Sequence, residues 1–303
     1  MAIPRNQWFT RPDGSSIRDL VHGAVERDWR DIITPELRER YREDGVVHVP
    51  GLLHPEWLAL VEQGMKRNAD NPGYNCVHFY EGQPDEYIMD HDNYAAIPEY
   101  QYLLRHSPIG DIMQFLLATD ELYLFHDQIF IKRGGNNAIT HWHQDLPYWI
   151  IDGTQLGSMW ITLDPQPKEQ CLEFIPGSHK GPQYGGSTFK HEDPTDPTYP
   201  SLPRIPHIEA ERDKWNIVSW DVQPGDVILL HPNVLHGGGG TGPGQQRRTI
   251  TLRFFGDDAV IDGRFEQSGE LCSPFYPGLT RRLRPGDKVR DDRFPLIRPI
   301  PRS

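Results

Sequence analysis

The part of the sequence that most limits the fold is a series of short apolar runs that begins at Leu122. The runs lie near residues 122–126, 128–132, 141–149, 157–164, 171–175, 216–222, 226–231 and 247–256. Turn-forming residues separate them, and glycine and proline each occur 28 times in the 303-residue chain. Short strands at this spacing are typical of a sandwich or a barrel. The pattern therefore predicts a mainly β fold with flanking helices, organised as a double-stranded β-helix, the cupin-like jelly-roll barrel.

Before residue 122 the pattern is largely helical. Thr34, Pro35 and Glu36 form a helix-start signal, in which the threonine caps and the proline takes the first position. The sequence predicts helices over about 35–43, 55–66 and 101–118, and a short strand over 46–49. The predicted organisation is an N-terminal arm (1–33), one domain (34–280) with a barrel core at about 122–256 and a lid insertion at about 177–214, and a C-terminal tail (281–303).

The charge and the cysteine content limit the classes of partner. The chain has 31 basic and 43 acidic residues, a formal net charge of −12, which argues against nucleic acid or an anionic membrane as the main partner. No apolar run reaches the length of a membrane span, and the first residues lack a signal-peptide core. Cys76, Cys171 and Cys272 are too few and too scattered for a disulfide framework or a Cys-based zinc site. We expect a cytoplasmic protein that acts on a small molecule, with homo-oligomerisation left open.

The residues that best indicate chemistry are His143 and Asp145, in the stretch 140–149. On a β-strand, two positions of separation put both side chains on one face. His236 follows the apolar run 226–230 and is followed by glycines at 237–240. Two histidines and one carboxylate leave open positions on a metal ion, the arrangement of non-haem Fe(II) oxygenases. The sequence therefore predicts a metal site formed by His143, Asp145 and His236.

Arg247 is the second indicator of function. It lies eleven residues after His236 and opens the last strand-like run. If the two strands pair as a hairpin, the arginine lies beside the metal, where a buried guanidinium would bind a carboxylate with two hydrogen bonds. Arg248 alternates with Arg247 along the strand and is expected to point away from the site.

Several stretches together resemble the phytanoyl-CoA dioxygenase family of Fe(II)/2-oxoglutarate oxygenases. They are the HQDLPYW stretch at 143–149, the CLEFIPGSHK stretch at 171–180, the PGDV stretch at 224–227, and His236-Gly237 followed by Arg247. They occur in the family's order and spacing, and the resemblance covers roughly residues 35–256.

The resemblance implies a cofactor set of Fe(II), 2-oxoglutarate and O2. By it, the metal is held by His143, Asp145 and His236, Arg247 binds the far carboxylate of 2-oxoglutarate, and Gln128 and Trp160 also contact the cosubstrate. The family often has a serine two residues after the distal histidine, where this chain has Gly238. Related halogenases lack the carboxylate ligand, so Asp145 favours hydroxylation, desaturation or ring chemistry over halogenation.

Other residues and other functions compete with this interpretation. His141, His179, His231 and the Asp90-His91-Asp92 stretch are expected to be structural or hydrogen-bonded groups, and Tyr148 and Trp149 either line the pocket or fill the core. One alternative function is a cupin-type metalloenzyme, such as an isomerase or a cosubstrate-free dioxygenase. The expected cupin glutamate is absent after His143, and Arg247 would be unexplained. The other alternative is a non-catalytic barrel that acts as a binding module.

Overall fold

The structure is a computed structural model that describes residues 28–135, 139–187, 193–267, 270–271 and 282–299. Most of the predicted N-terminal arm lies outside the described residues. Within them, no helix is both long enough and apolar enough to cross a membrane.

Four helices precede the main strands: α1 (Pro35–Asp44), α2 (Pro55–Asp70), α3 (Pro98–His106) and α4 (Ile109–Leu117). The hydroxyl of Thr34 accepts a hydrogen bond from the Leu37 amide, so α1 begins as predicted. The single helix predicted over 101–118 was wrong, because the chain forms α3 and α4 there. Pro108 separates them, since it has no N–H and restricts the residue before it to extended backbone.

The strands, in chain order, are β1 (Val46–Val49), β2 (Val77–Phe79), β3 (Tyr87–His91), β4 (Leu122–Gly135), β5 (Thr140–His143), β6 (Ile151–Asp152), β7 (Leu156–Thr162), β8 (Leu172–Phe174), β9 (Val227–Leu230), β10 (His236–Gly238), β11 (Thr241–Phe255), β12 (Val260–Ile261), β13 (Glu266–Gln267), β14 (Glu270–Leu271) and β15 (Leu296–Arg298). The large sheet has the order β1-β9-β7-β11-β4-β3-β2, and β15 joins it by pairing with β4. A smaller sheet has the order β5-β10-β8. Two further pairs, β6 with β12 and β13 with β14, stand apart from both sheets.

The double-stranded β-helix predicted from the sequence is confirmed, but its described strands do not close into a hydrogen-bonded barrel. Three local predictions were wrong. The two runs predicted around Asp127 form one continuous strand, β4. The run at 141–149 ends as a strand at His143 and turns into a short 3-10 helix, Leu146–Tyr148. The run at 216–222 contributes only isolated bridges through Val218 and Val222.

The two faces of β11 separate the core from the cavity. Ile250, Leu252 and Phe254 point away from the cavity and join the main hydrophobic core, to which the helices also contribute. Thr249, Thr251 and Arg253, which alternate with them, point the other way and line a cavity. Since side chains alternate along a strand, burial of the apolar face against the helices fixes which residues face inward.

Candidate active site

His143 and His236 are direct cross-strand partners on β5 and β10. Their ring centroids are 4.2 Å apart. The Nδ1 of His143 is 2.8 Å from the carbonyl oxygen of His141, and the Nδ1 of His236 is 3.0 Å from that of Val234. A carbonyl accepts a hydrogen bond, so each ring carries its proton on Nδ1. The Nε2 of each ring is then the nitrogen whose lone pair can bind a metal.

Asp145 reaches the histidines through a turn rather than through the predicted strand extension. Its backbone is helical, with φ −74° and ψ −37°. The amides of Asp145 and Leu146 both donate to the Pro232 carbonyl, at 2.8 and 2.9 Å. This turn brings the carboxylate Oδ1 to 3.6 Å from Nε2 of His143.

The three side chains form a buried group that can bind a divalent metal. One ligand atom from each of His143, Asp145 and His236 lies within 4.8 Å of the others, and within the described chain no other such group was found. Burial lowers the pKa of His236 to about 4, so its ring is neutral near neutral pH. A neutral imidazole is the form that binds a metal, so the donor set suits Fe(II).

The second oxygen of Asp145 contacts Arg253, a residue that the sequence analysis did not single out. The Arg253 Nη2 and Nε are 3.3 and 3.4 Å from Oδ2 of Asp145. Burial raises the pKa of Asp145, but the positive charge of Arg253 outweighs it and holds that pKa below its usual range. The carboxylate is therefore ionised. The sequence feature that could have identified Arg253 is its even spacing from Arg247, which puts both side chains on one face of β11.

Arg247 is 4% exposed and faces the cavity. Its Nη1 donates to the Gln170 carbonyl at 2.8 Å, and its Nε has no hydrogen-bond partner in the described chain. Arg248 points to the other face of the sheet, where it pairs with Asp164 and Glu62. A guanidinium keeps its charge at any ordinary pH, so Arg247 brings a buried cation with spare donors to the cavity.

Lys132 lies directly opposite Arg247 on β4 and is also buried. Its Nζ is 3.1 Å from the Thr140 hydroxyl and 4.8 Å from the ring centroid of Tyr87. Burial first, and the charge of Arg247 second, hold the pKa of Lys132 well below its usual value. Sequence reasoning missed this residue because lysine in a strand usually indicates an exposed edge.

Gln128 and Trp160 both line the cavity, on strands that flank β11. Each is a cross-strand partner of Thr251, Gln128 from β4 and Trp160 from β7. The two side chains predicted to contact the cosubstrate therefore lie in one row of the inner face.

The cavity has a volume of about 660 Å³ and combines aromatic walls with a small set of charges. Its aromatic lining residues are Phe79, Tyr80, Tyr87, Phe130, Tyr148, Trp149, Trp160 and Tyr199. Among the described lining residues the basic side chains are Lys132, Arg247 and Arg253, and the only acidic one is Asp145. The predicted lid insertion contributes Ser187, whose carbonyl accepts from the Tyr148 hydroxyl at 2.8 Å.

A family model for phytanoyl-CoA dioxygenase matches residues 41–249, which is more than half of the chain. The protein belongs to the phytanoyl-CoA dioxygenase family. An ectoine dioxygenase from Sphingopyxis alaskensis is 26% identical over 299 residues, 95% of this chain and 96% of that protein. The peroxisomal phytanoyl-CoA dioxygenase of Mus musculus is 22% identical over 242 residues, 75% of this chain and 70% of that protein.

Solved structures resemble this fold over most of its length. A non-haem α-ketoglutarate-dependent carbocyclase of nogalamycin biosynthesis superposes with a TM-score of 0.66 at 21% identity, over 87% of this chain and 96% of that chain. EctD of S. alaskensis, solved with 2-oxoglutarate and 5-hydroxyectoine, gives a TM-score of 0.59 at 22% identity, over 88% and 86% of the two chains. Membership of the family makes this protein an Fe(II)- and 2-oxoglutarate-dependent dioxygenase, an oxidoreductase that uses O2.

The glycine at the position of the family's frequent serine has a structural reason. Gly238 has φ +81°, a left-handed conformation that costs any residue with a Cβ. A Cβ there would also lie 3.0 Å from the Glu173 side chain. A serine hydroxyl therefore cannot be supplied from this position without strain, whereas Thr249 and Thr251, which carry hydroxyls, both line the cavity.

The other histidines and acids singled out from the sequence lie in ordinary surroundings. Asp90 accepts hydrogen bonds from Asn68 and the Gly73 amide, and Asp92 pairs with Arg293. The His231 ring accepts from the Asn233 amide, and His179 contacts the carbonyl of Arg42. His91 and His141 line the cavity, but neither belongs to the metal-binding group.

Proposed function

We propose that His143, Asp145 and His236 hold Fe(II), and that 2-oxoglutarate lies between this site and Arg247. The observation that carries the proposal is one cavity that contains a buried two-histidine, one-carboxylate group and a buried arginine with spare donors. When bound together, iron, 2-oxoglutarate and O2 supply the oxidation of a substrate C–H bond, with release of succinate and CO2.

The protein's own contribution is orientation and exclusion of water. The carbonyls of His141 and Val234 fix the two imidazole tautomers, and Arg253 holds one oxygen of Asp145 so that the other faces the histidines. The Arg247 guanidinium would donate to the C5 carboxylate of 2-oxoglutarate, with a charge-assisted bond in a desolvated setting. Gln128 and Trp160, the two cross-strand partners of Thr251, would line the cosubstrate-binding site.

The primary substrate is proposed to be a small molecule that is hydroxylated or desaturated. Support comes from the aromatic walls and from the size of the cavity, about 660 Å³, which must also admit the cosubstrate. The carboxylate ligand Asp145 supports oxygenation over halogenation, so turnover in chloride should give an oxygenated product. A cytoplasmic setting is also proposed, since Cys76 and Cys171 are free thiols, which suits a reducing compartment.

The test is turnover of 2-oxoglutarate by the purified, anaerobically Fe(II)-loaded protein after O2 is admitted. Succinate formation is measured with ectoine, phytanoyl-CoA and a panel of small organic compounds, and His236→Ala serves as the inactive control. Succinate that depends on Fe(II), on 2-oxoglutarate and on His236 supports the proposal. Substrate conversion that does not consume 2-oxoglutarate would instead favour the cupin-type metalloenzyme. Binding of a small molecule with no conversion at all would favour the binding module.

A further inference from the structure

Arg253 is a buried arginine whose surroundings leave part of its guanidinium without a partner. The residue is 5% exposed and lines the cavity. Its Nη1 has no hydrogen-bond partner in the described chain. A guanidinium has five N–H donors, and leaving one of them buried without an acceptor is costly. An acceptor from a bound molecule would remove that cost.

The contact with Asp145 does not satisfy this arginine. Its two distances, 3.3 and 3.4 Å, are longer than the roughly 2.7–2.9 Å of a strong charge-assisted bond. Both contacts also go to the same oxygen, Oδ2, so the pair is not the parallel two-bond arrangement that arginine makes with a carboxylate. The guanidinium can therefore bind a second anion without giving up Asp145.

The charges in the cavity leave Arg253 available once the cofactors are bound. Under the proposed function, Asp145 is neutralised by the metal and Arg247 by the far carboxylate of 2-oxoglutarate. The cross-strand neighbour of Arg253 on β4 is His126, and His91 packs against it with ring centroids 5.4 Å apart. Burial lowers the pKa of both rings, to about 4 for His91, so neither adds charge near neutral pH. Neither ring carries the negative charge that would balance Arg253.

The other residues that line the cavity indicate the chemical character of the rest of the ligand that would supply this anion. Tyr148, Trp149 and Tyr199 line the wall, and the apolar side chains of Phe79 and Ile139 also line the cavity while 40% and 55% exposed. Exposed apolar side chains beside a cavity favour an apolar ligand.

From these observations we infer that Arg253 binds a carboxylate of the primary substrate, which is a small organic acid with an apolar or aromatic body. The inference rests on the proposed function, because it assigns Arg253 to the substrate only when iron and 2-oxoglutarate occupy their own positions. The competing role is purely structural, in which Arg253 does no more than orient Asp145 toward the metal.

The test compares a matched pair of probes, 3-phenylpropionate and 3-phenylpropionamide, which differ in the carboxylate. Their dissociation constants are measured by calorimetry on the anaerobic protein saturated with Fe(II) and 2-oxoglutarate. The variants are Arg253→Gln, Arg253→Lys and Arg248→Gln, the last removing the same charge from the opposite face of the same strand. Fe(II) and 2-oxoglutarate affinities are measured for each variant before the probes are added.

The wild type should prefer the acid by roughly tenfold or more, as expected for a buried charged hydrogen bond. Arg253→Gln should lose that preference even when Fe(II) and 2-oxoglutarate are raised until they saturate it, and its Fe(II) affinity should fall by up to about 10- to 100-fold because the residue also supports Asp145. Arg253→Lys should keep part of the preference for the acid, and Arg248→Gln should keep all of it. Equal or undetectable binding of the two probes to the wild type would overturn the inference, and so would a preference that survives in Arg253→Gln. Loss of Fe(II) affinity in Arg253→Gln without a change in probe preference would assign the residue to Asp145 alone. If the wild type failed to bind Fe(II) and 2-oxoglutarate, the proposed function itself would fall.

Discussion

Lys132 and Arg247 are cross-strand partners on the inner face of the large sheet, and both side chains are buried. Two cations held side by side out of water are unfavourable unless an anion joins them. Burial first, and the neighbouring guanidinium second, hold the pKa of Lys132 well below its usual value. A carboxylate placed between the two would favour the charged form and raise that pKa.

This relationship predicts that 2-oxoglutarate binding takes up a proton. At a pH between the depressed pKa of Lys132 and its ordinary value, the lysine is neutral before binding and charged after it. The affinity for 2-oxoglutarate should therefore fall as the pH rises through that window. Calorimetry in two buffers with different ionisation enthalpies measures the proton uptake. Lys132→Met should abolish the uptake and weaken binding, whereas the exposed Lys66→Met should do neither, and an unchanged uptake in Lys132→Met would refute the assignment.

Arg247→Ala should weaken 2-oxoglutarate binding roughly 10- to 100-fold, the effect of losing hydrogen bonds to a charged group. Arg248→Ala removes the same charge one residue later but from the outer face, where the arginine pairs with Asp164 and Glu62. That variant should bind 2-oxoglutarate normally and lose no more than about 1 kcal/mol of stability. Titration of both Fe(II)-loaded variants under anaerobic conditions decides the point, and a larger loss in Arg248→Ala would contradict the orientation of β11.

His143→Ala and His236→Ala should each weaken Fe(II) binding by more than about 100-fold, since even residues that merely support a ligand cost 10- to 100-fold. Each removes one of three atoms that lie within 4.8 Å of one another. His207→Ala is the matched control, because this histidine is exposed and outside the group. The Fe(II) affinity is measured by anaerobic titration, and thermal unfolding checks that each variant is folded. Near-normal affinity in both ligand variants would remove the metal assignment.

The sequence predicts those site residues whose positions follow from a local pattern, and it misses what depends on distant contacts or on burial. His143 was predicted from its two-residue spacing to Asp145, and His236 and Arg247 from the apolar strand-like runs beside them. Asp145 lies in a turn set by hydrogen bonds to the Pro232 carbonyl, a contact 87 positions along the chain that no local pattern encodes. Lys132 and Arg253 escaped notice because a strand pattern gives no sign that a charged residue is buried. The break between α3 and α4 was readable at Pro108 and was missed because apolar residues continue on both sides.

Gly239→Ala should weaken 2-oxoglutarate binding through Arg247. Gly239 has φ +74°, and a Cβ there would lie 2.6 Å from the Arg247 Nη1, so the guanidinium would have to move. Gly244 offers a matched control: its φ is also +74°, but nothing lies within 4 Å of an added Cβ. Both alanine variants should therefore lose roughly 1–2 kcal/mol of stability from the left-handed backbone alone. Only Gly239→Ala should also raise the dissociation constant for 2-oxoglutarate, measured by anaerobic calorimetry below the unfolding temperature. Equal affinities in the two variants would mean that the position of Arg247 does not control cosubstrate binding.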